Sequence, residues 1–137
     1  TPSNSSAASD VYKRQDNGSF VTLRDKQRKD DLQLISQALR NYYQEKSSYP
    51  VVEEKIKIEE ADNLWSVLEP YLPEGEEWSF ADPKYPDFYY GYISDGENYE
   101  LSARLENKED KEGIAIGDIV LYFIVSNESY NPSLAGF

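Results

Sequence analysis

Acidic side chains are the most plentiful chemically capable groups in this chain, with 26 Asp and Glu among 137 residues. Glu76 and Glu77 with Asp82 and Asp87, or Asp95 with Glu97, have the residue types of the carboxylate pair that protonates and displaces a glycosidic bond. That work needs a cleft, a fixed separation and two unlike environments, whereas acids this frequent fall into close pairs by chance. Asp95, Glu97, Glu106 and Asp110 lie between the expected elements and offer hard oxygen ligands suited to calcium. Their spacing does not match a helix–loop–helix calcium loop, so solvated turns are the simpler reading and no metal ligand is assigned. A third set, Arg24, Asp25, Arg28, Lys29, Asp30 and Asp31, packs both signs of charge into eight residues, as a solvated helix face would.

Other chemistries are excluded by what the chain lacks. There is no cysteine, histidine or methionine. Disulfide frameworks, thiolate nucleophiles, Ser-His-Asp catalysis and histidine-based zinc sites are therefore impossible. No residue is expected to be catalytic, and no cofactor is expected beyond calcium at the four acids above. The net charge is −12, unevenly placed: residues 1–49 hold eight Lys/Arg against six acids, and the remainder hold six against 20. Such a surface repels phosphate backbones, so nucleic acid is not an expected partner.

The elements that must position these groups follow from hydrophobic periodicity. Residues 1–19 (TPSNSSAASDVYKRQDNGS) are small and polar, and read as a disordered, non-native lead-in. The domain is expected over 20–137. Leu32, Ile35, Leu39 and Tyr42 or Tyr43 recur at spacings of three and four, which predicts a helix over 20–46. Leu34 and Ala38 widen its stripe, and Pro50 bars its continuation. Residues 51–61 (VVEEKIKIEEA) read as a short strand or an extended loop. Asp62 is the expected N-cap of a second, short helix that buries Leu64, Trp65, Leu68 and Tyr71. Residues 73–87 form a Pro-rich loop pinned by Trp78 and Phe80.

Sheet follows. FYYGYI (88–93) is β-prone, and Asp95-Gly96 is a hairpin signal. NYELSARLE (98–106) alternates, with Tyr99, Leu101, Ala103 and Leu105 inward and Asn98, Glu100, Ser102 and Arg104 outward. NKEDKEG is a charged connector. IVLYFIV (119–125), apolar on both faces, is expected to be central or covered on both sides. The predicted fold class is α+β: a long N-terminal helix and a short second helix on an antiparallel sheet of three to four strands. Half of the tyrosines are expected in the core and half on a sheet surface.

In this order, the segments resemble a known family. RDKQRKDDLQLISQALRNYYQEKSSYP is similar to the stretch that follows the membrane anchor of type IV pilins and of the major pseudopilins of type II secretion. There an R-D-x-x-R-K-x-D-L run leads into an apolar-periodic helix ending Y-Y-x-x-x-x-x-Y-P. The matching positions are Arg24, Asp25, Arg28, Lys29, Asp31, Leu32, Tyr42, Tyr43, Tyr49 and Pro50. Trp65 and Leu68, YLP (71–73), ADP (81–83) and YYGYISDGENYELSARLEN (89–107) extend the likeness over about residues 20–107. The family's Gly-Phe-Thr-Leu-x-Glu processing site, apolar anchor and disulfide-bounded loop are not in the sequence. Its glycine-rich calcium loop has only ENKEDKEG (106–113) in its place.

The resemblance implies a non-enzymatic structural subunit, the globular head of a pilus-like or secretion filament at the cell surface. Its partners would be other copies of itself and related subunits, and it would meet the membrane only through a missing N-terminal helix. Arg24, Asp25, Arg28, Lys29, Asp30 and Asp31 would then contribute filament packing through ion pairs between subunits. A stand-alone extracellular module binding calcium or glycan through the acidic loops and tyrosine-rich strand is the alternative.

Overall fold

The computed structural model describes residues 18–72 and 80–135. Expectations for residues 1–17, Glu76, Glu77 and Trp78 therefore lie outside the described residues. A single long helix, α1 (Gly18–Lys46), begins two residues ahead of its expected start. Two short helices, α2 (Asp62–Leu68) and α3 (Pro132–Ala135), accompany it, with 3-10 turns on either side of α2 at Ile58–Glu60 and Glu69–Tyr71. The sheet is antiparallel and five-stranded: β1 (Val52–Lys57), β2 (Tyr90–Ser94), β3 (Tyr99–Leu105), β4 (Ile114–Ile116) and β5 (Ile119–Val125), in the spatial order β1-β2-β3-β5-β4. The α+β class is as expected; the strand count exceeds the three or four predicted.

The helix lies against the middle of the sheet because its stripe and the inward residues of β3 are both apolar and alternate at their own periods. Leu32, Ile35, Ala38 and Leu39 of α1 are fully buried, as are Tyr90, Tyr92, Tyr99, Leu101, Ala103 and Leu105 from the sheet. Tyr42 is half-buried and meets Tyr71 edge-on, with ring centroids 5.4 Å apart, while Tyr43 stays exposed. Leu64 and Leu68 of α2, with Ile58, Leu72 and Phe80, close one end of this core, and Trp65 stacks on Phe80.

Four details differ from the sequence reading. Asp62 is the first residue of α2 and not its cap: Ala61 occupies the cap with no side-chain hydrogen bond, because the preceding 3-10 turn already leads the chain into the helix. There the Asp62 carboxylate complements the helix dipole instead. The strand expected from residue 88 starts at Tyr90, after a turn in which Phe88 N–H donates to the Lys84 carbonyl. IVLYFIV is the penultimate strand, not the central one. Only Val120 and Tyr122 are buried along it, and the outward residues Ile119, Leu121, Phe123 and Val125 are half-buried. The central strand is β3, whose outward residues Glu100 and Ser102 are buried despite their polarity.

The β2–β3 hairpin turns at Asp95-Gly96 as predicted. Gly96 adopts φ +95°, where an L side chain would be strained, and the Asp95 carboxylate accepts the N–H groups of Glu97 and Asn98.

Candidate functional site

Arg24 and Arg28 continue, one turn at a time, the same face of α1 that carries Leu32, Ile35 and Leu39, so the helix drives them into the domain. Both are buried, Arg28 completely. The Arg28 guanidinium forks onto Asp82, with Nε to Oδ2 at 2.8 Å and Nη2 to Oδ1 at 2.9 Å. Its remaining nitrogen, Nη1, donates to Asp25 Oδ1 and to Glu106 Oε2, each at 2.7 Å. Arg24 forks in turn onto Glu106, at 2.5 and 2.7 Å, and Lys84 reaches the same carboxylate at 3.0 Å. Phe88 lies under the cluster, 4.9 Å from Arg28 Cζ to its ring centroid.

The carboxylates are fixed from behind as well. Asp25 accepts the backbone N–H groups of Glu106 and Asn107, each at 3.0 Å, and so holds the chain where β3 ends. Glu59 accepts the N–H groups of Asp82 and Tyr90, which ties the 3-10 turn after β1 to the 82–88 segment and to β2. Asp31, one turn further along α1, accepts the Tyr90 hydroxyl at 2.7 Å. Lys29 forms a satellite pair with Asp110 at 2.8 Å and Glu112 at 2.7 Å. Among the described residues no buried side-chain nitrogen or oxygen lacks a partner. A buried ionic cluster is tolerable only under that condition.

Electrostatics divide the carboxylates. Burial alone would raise the Glu106 carboxyl, but hydrogen bonds from Arg24, Arg28 and Lys84 outweigh it and bring its pKa down to about 2. Asp31 goes the other way: burial lifts it to about 6, and the Tyr90 hydrogen bond offsets only part of that. Glu59 is also raised, by burial first and against its backbone hydrogen bonds.

The six charged helix residues singled out from the sequence are thus not a solvated face. Arg24, Asp25 and Arg28 are buried, Lys29 and Asp31 are half-buried with partners inside the chain, and of the six Asp30 alone is exposed, paired with Lys26 at 2.6 Å. The calcium candidates are scattered over different tasks: Asp95 and Glu97 in the hairpin, Glu106 beneath two arginines, Asp110 on Lys29. No group of three acidic side chains among the described residues is placed to hold a metal ion. Of the acids considered as a catalytic pair, Asp82 is held by Arg28 and Asp87 is exposed. Asp82 and Glu106 are among the acids with the residue type for chemistry, but their pairing with α1 spans 54 to 82 residues and leaves no local signal in the sequence.

The geometry is that of a clamp. Two forked guanidinium–carboxylate pairs bind the first half of a 29-residue helix to a loop and to the end of the central strand. No family model, curated protein or solved structure matches this chain.

Proposed function

We propose that this domain is the globular head of a pilus-like or secretion filament, a structural subunit without catalytic activity. The observation that supports this most is the ionic clamp on α1. A helix that serves only as one layer of a small domain needs no more than its apolar stripe. Here the stripe covers the second half, while Arg24 and Arg28 fasten the first half through pairs 54 to 82 residues distant in sequence. A subunit whose helix continues into a filament must carry load from that helix into its head. Forked, desolvated pairs fix the guanidinium in both position and angle, and so oppose displacement of the helix along its axis.

The filament contacts in this reading fall on the surface left free by the clamp, around Lys26 and Asp30. Subunits would lie at the cell surface and meet their own copies and related subunits. No helix among the described residues is long and apolar enough to cross a membrane. In this reading the membrane is met through a helix ahead of α1.

The test is immunogold electron microscopy of cells carrying the gene, with antibody raised to this domain. Gold in rows along surface filaments, lost on deletion of the gene, is the expected result. Antigen wholly free in the medium, with filaments unlabelled, would refute the proposal.

A further inference from the structure

The sheet has a second face, turned away from α1, and its charges are arranged differently. Gly91, Ser102 and Phe123 sit side by side there across β2, β3 and β5. Gly91 is a gap in that row, filled from above by the stem of Lys55: a β-carbon at position 91 would come within 2.3 Å of Lys55 Cε and 2.6 Å of Ser102 Oγ. The missing side chain lets Lys55 cross the sheet from its edge. Beside it opens a cavity of about 190 Å³, walled by Phe88 and Tyr89 on one side and by Ile119 and Leu121 on the other.

Arg104 projects into the same cavity, half-buried, with Cζ 4.7 Å from the Phe88 ring centroid. Among the described residues its guanidinium makes that ring contact and no hydrogen bond or ion pair. This stands out in a chain of net charge −12, where Arg24 and Arg28 each fork onto a carboxylate. Lys55 makes no direct ion pair either; its ammonium donates to Ser133 Oγ at 3.2 Å, and Glu100, which accepts from that hydroxyl, is the acid whose charge it feels. A guanidinium carries five donors in a planar fork, so one held against an aromatic ring beside an apolar cleft is prepared for a planar anion.

We propose that this cavity is a binding site for a small apolar monocarboxylate. The carboxylate lies on the fork of Arg104 with the Lys55 ammonium nearby, and the apolar body fills the slot between Phe88, Tyr89 and Leu121. The volume equals that of about six waters, which suits a single ring or a short chain and not a nucleotide. Asp87 at the rim opposes dianions, so a phosphate ester is disfavoured against a monoanion. This site is independent of the filament reading and can stand or fall alone.

The test is an NMR titration of the whole chain at about 0.15 M salt, with benzoate as probe and benzamide as its uncharged counterpart. Benzoate is expected to shift the amides of residues 87–89, 102–104 and 119–121 saturably, with Kd in the range of about 1–10 mM for so small a ligand. Benzamide and the Arg104→Gln variant should each bind at least tenfold more weakly, and Lys55→Gln severalfold more weakly. Should Arg104→Gln fail to fold, the benzoate–benzamide ratio and Lys55→Gln decide the matter. Equal affinity for benzamide, undiminished binding by a folded Arg104→Gln, or shifts that spread over the surface without saturating would overturn the proposal.

Discussion

Replacing Arg28 with methionine is expected to lower the stability of the domain by about 3–5 kcal/mol, the usual consequence of stranding a buried carboxylate. The substitution keeps much of the side-chain volume, so packing is a small part of the loss. The loss comes from Asp82, whose two oxygens would be stripped of the guanidinium, and from Asp25 and Glu106, each of which would lose a donor. For a domain of this size each kcal/mol shifts Tm by about 2–8 °C, so the melt should fall by at least about 6 °C. Urea unfolding followed by tryptophan fluorescence measures the change. The double variant Arg28→Met, Asp82→Leu removes the stranded charge and should recover a good part of the loss, because an apolar pair can replace a buried ion pair at little net cost. Single-variant loss below about 1 kcal/mol would mean that the cluster is solvated and that the clamp is not a clamp.

Asp31→Asn should act in the opposite direction and only above pH 4. The folded carboxyl has its pKa at about 6, against 3.8 for an ordinary one. The native state thus holds this proton more tightly than the unfolded chain does, so the contribution of Asp31 is fully present below about pH 4 and is lost as pH rises through 6. At pH 7 the domain carries a half-buried charge that asparagine removes, while the amide oxygen still accepts the Tyr90 hydroxyl. A gain of about 1–3 kcal/mol is expected at pH 7, shrinking to nothing by pH 4. Glu106 has the reverse sign. Its pKa near 2, against 4.5, means that its contribution is present above pH 4.5 and is lost as pH falls through 2. The wild-type profile should therefore peak near pH 4–5, between the two limbs. Urea midpoints for both proteins from pH 3 to 8 measure this, and an Asp31→Asn variant less stable than wild type at pH 7 would contradict it.

Those two residues mark the boundary of what the sequence discloses. The helix, the hairpin at Asp95-Gly96 and the alternation of β3 are local patterns, set by periods of 3.6 and 2 and by a turn that demands positive φ, and they appear where expected. β4 escaped because three residues are too few to show a period, and β1 stayed ambiguous because its glutamates mask two apolar positions, Val52 and Ile56. IVLYFIV misled because an apolar run shows that a strand can be covered on both faces, not that anything covers it. For the clamp, RDKQRKDD carries charge on every side of the helix, so composition does not say which charges turn inward. The signal was in the stripe: 24, 28, 32, 35 and 39 form one line at helical spacing, and two of its five positions are arginine. Their partners, Asp82 and Glu106, lie too far along the chain for any local pattern to connect them. The pocket around Arg104 is likewise hidden, since it depends on the absence of a side chain at Gly91, on the strand next to that of Arg104.

Sequencing the gene upstream of the codon for Phe20, in a single long genomic read, would show whether α1 continues into the helix of a filament subunit. For a filament subunit, the expected result is an in-frame apolar stretch of about 20 residues, long enough to span a bilayer, joined to α1 without a break and preceded by a Gly-Phe-x-x-x-Glu processing site. A start codon directly ahead of the domain, or a conventional cleaved signal peptide, would contradict it.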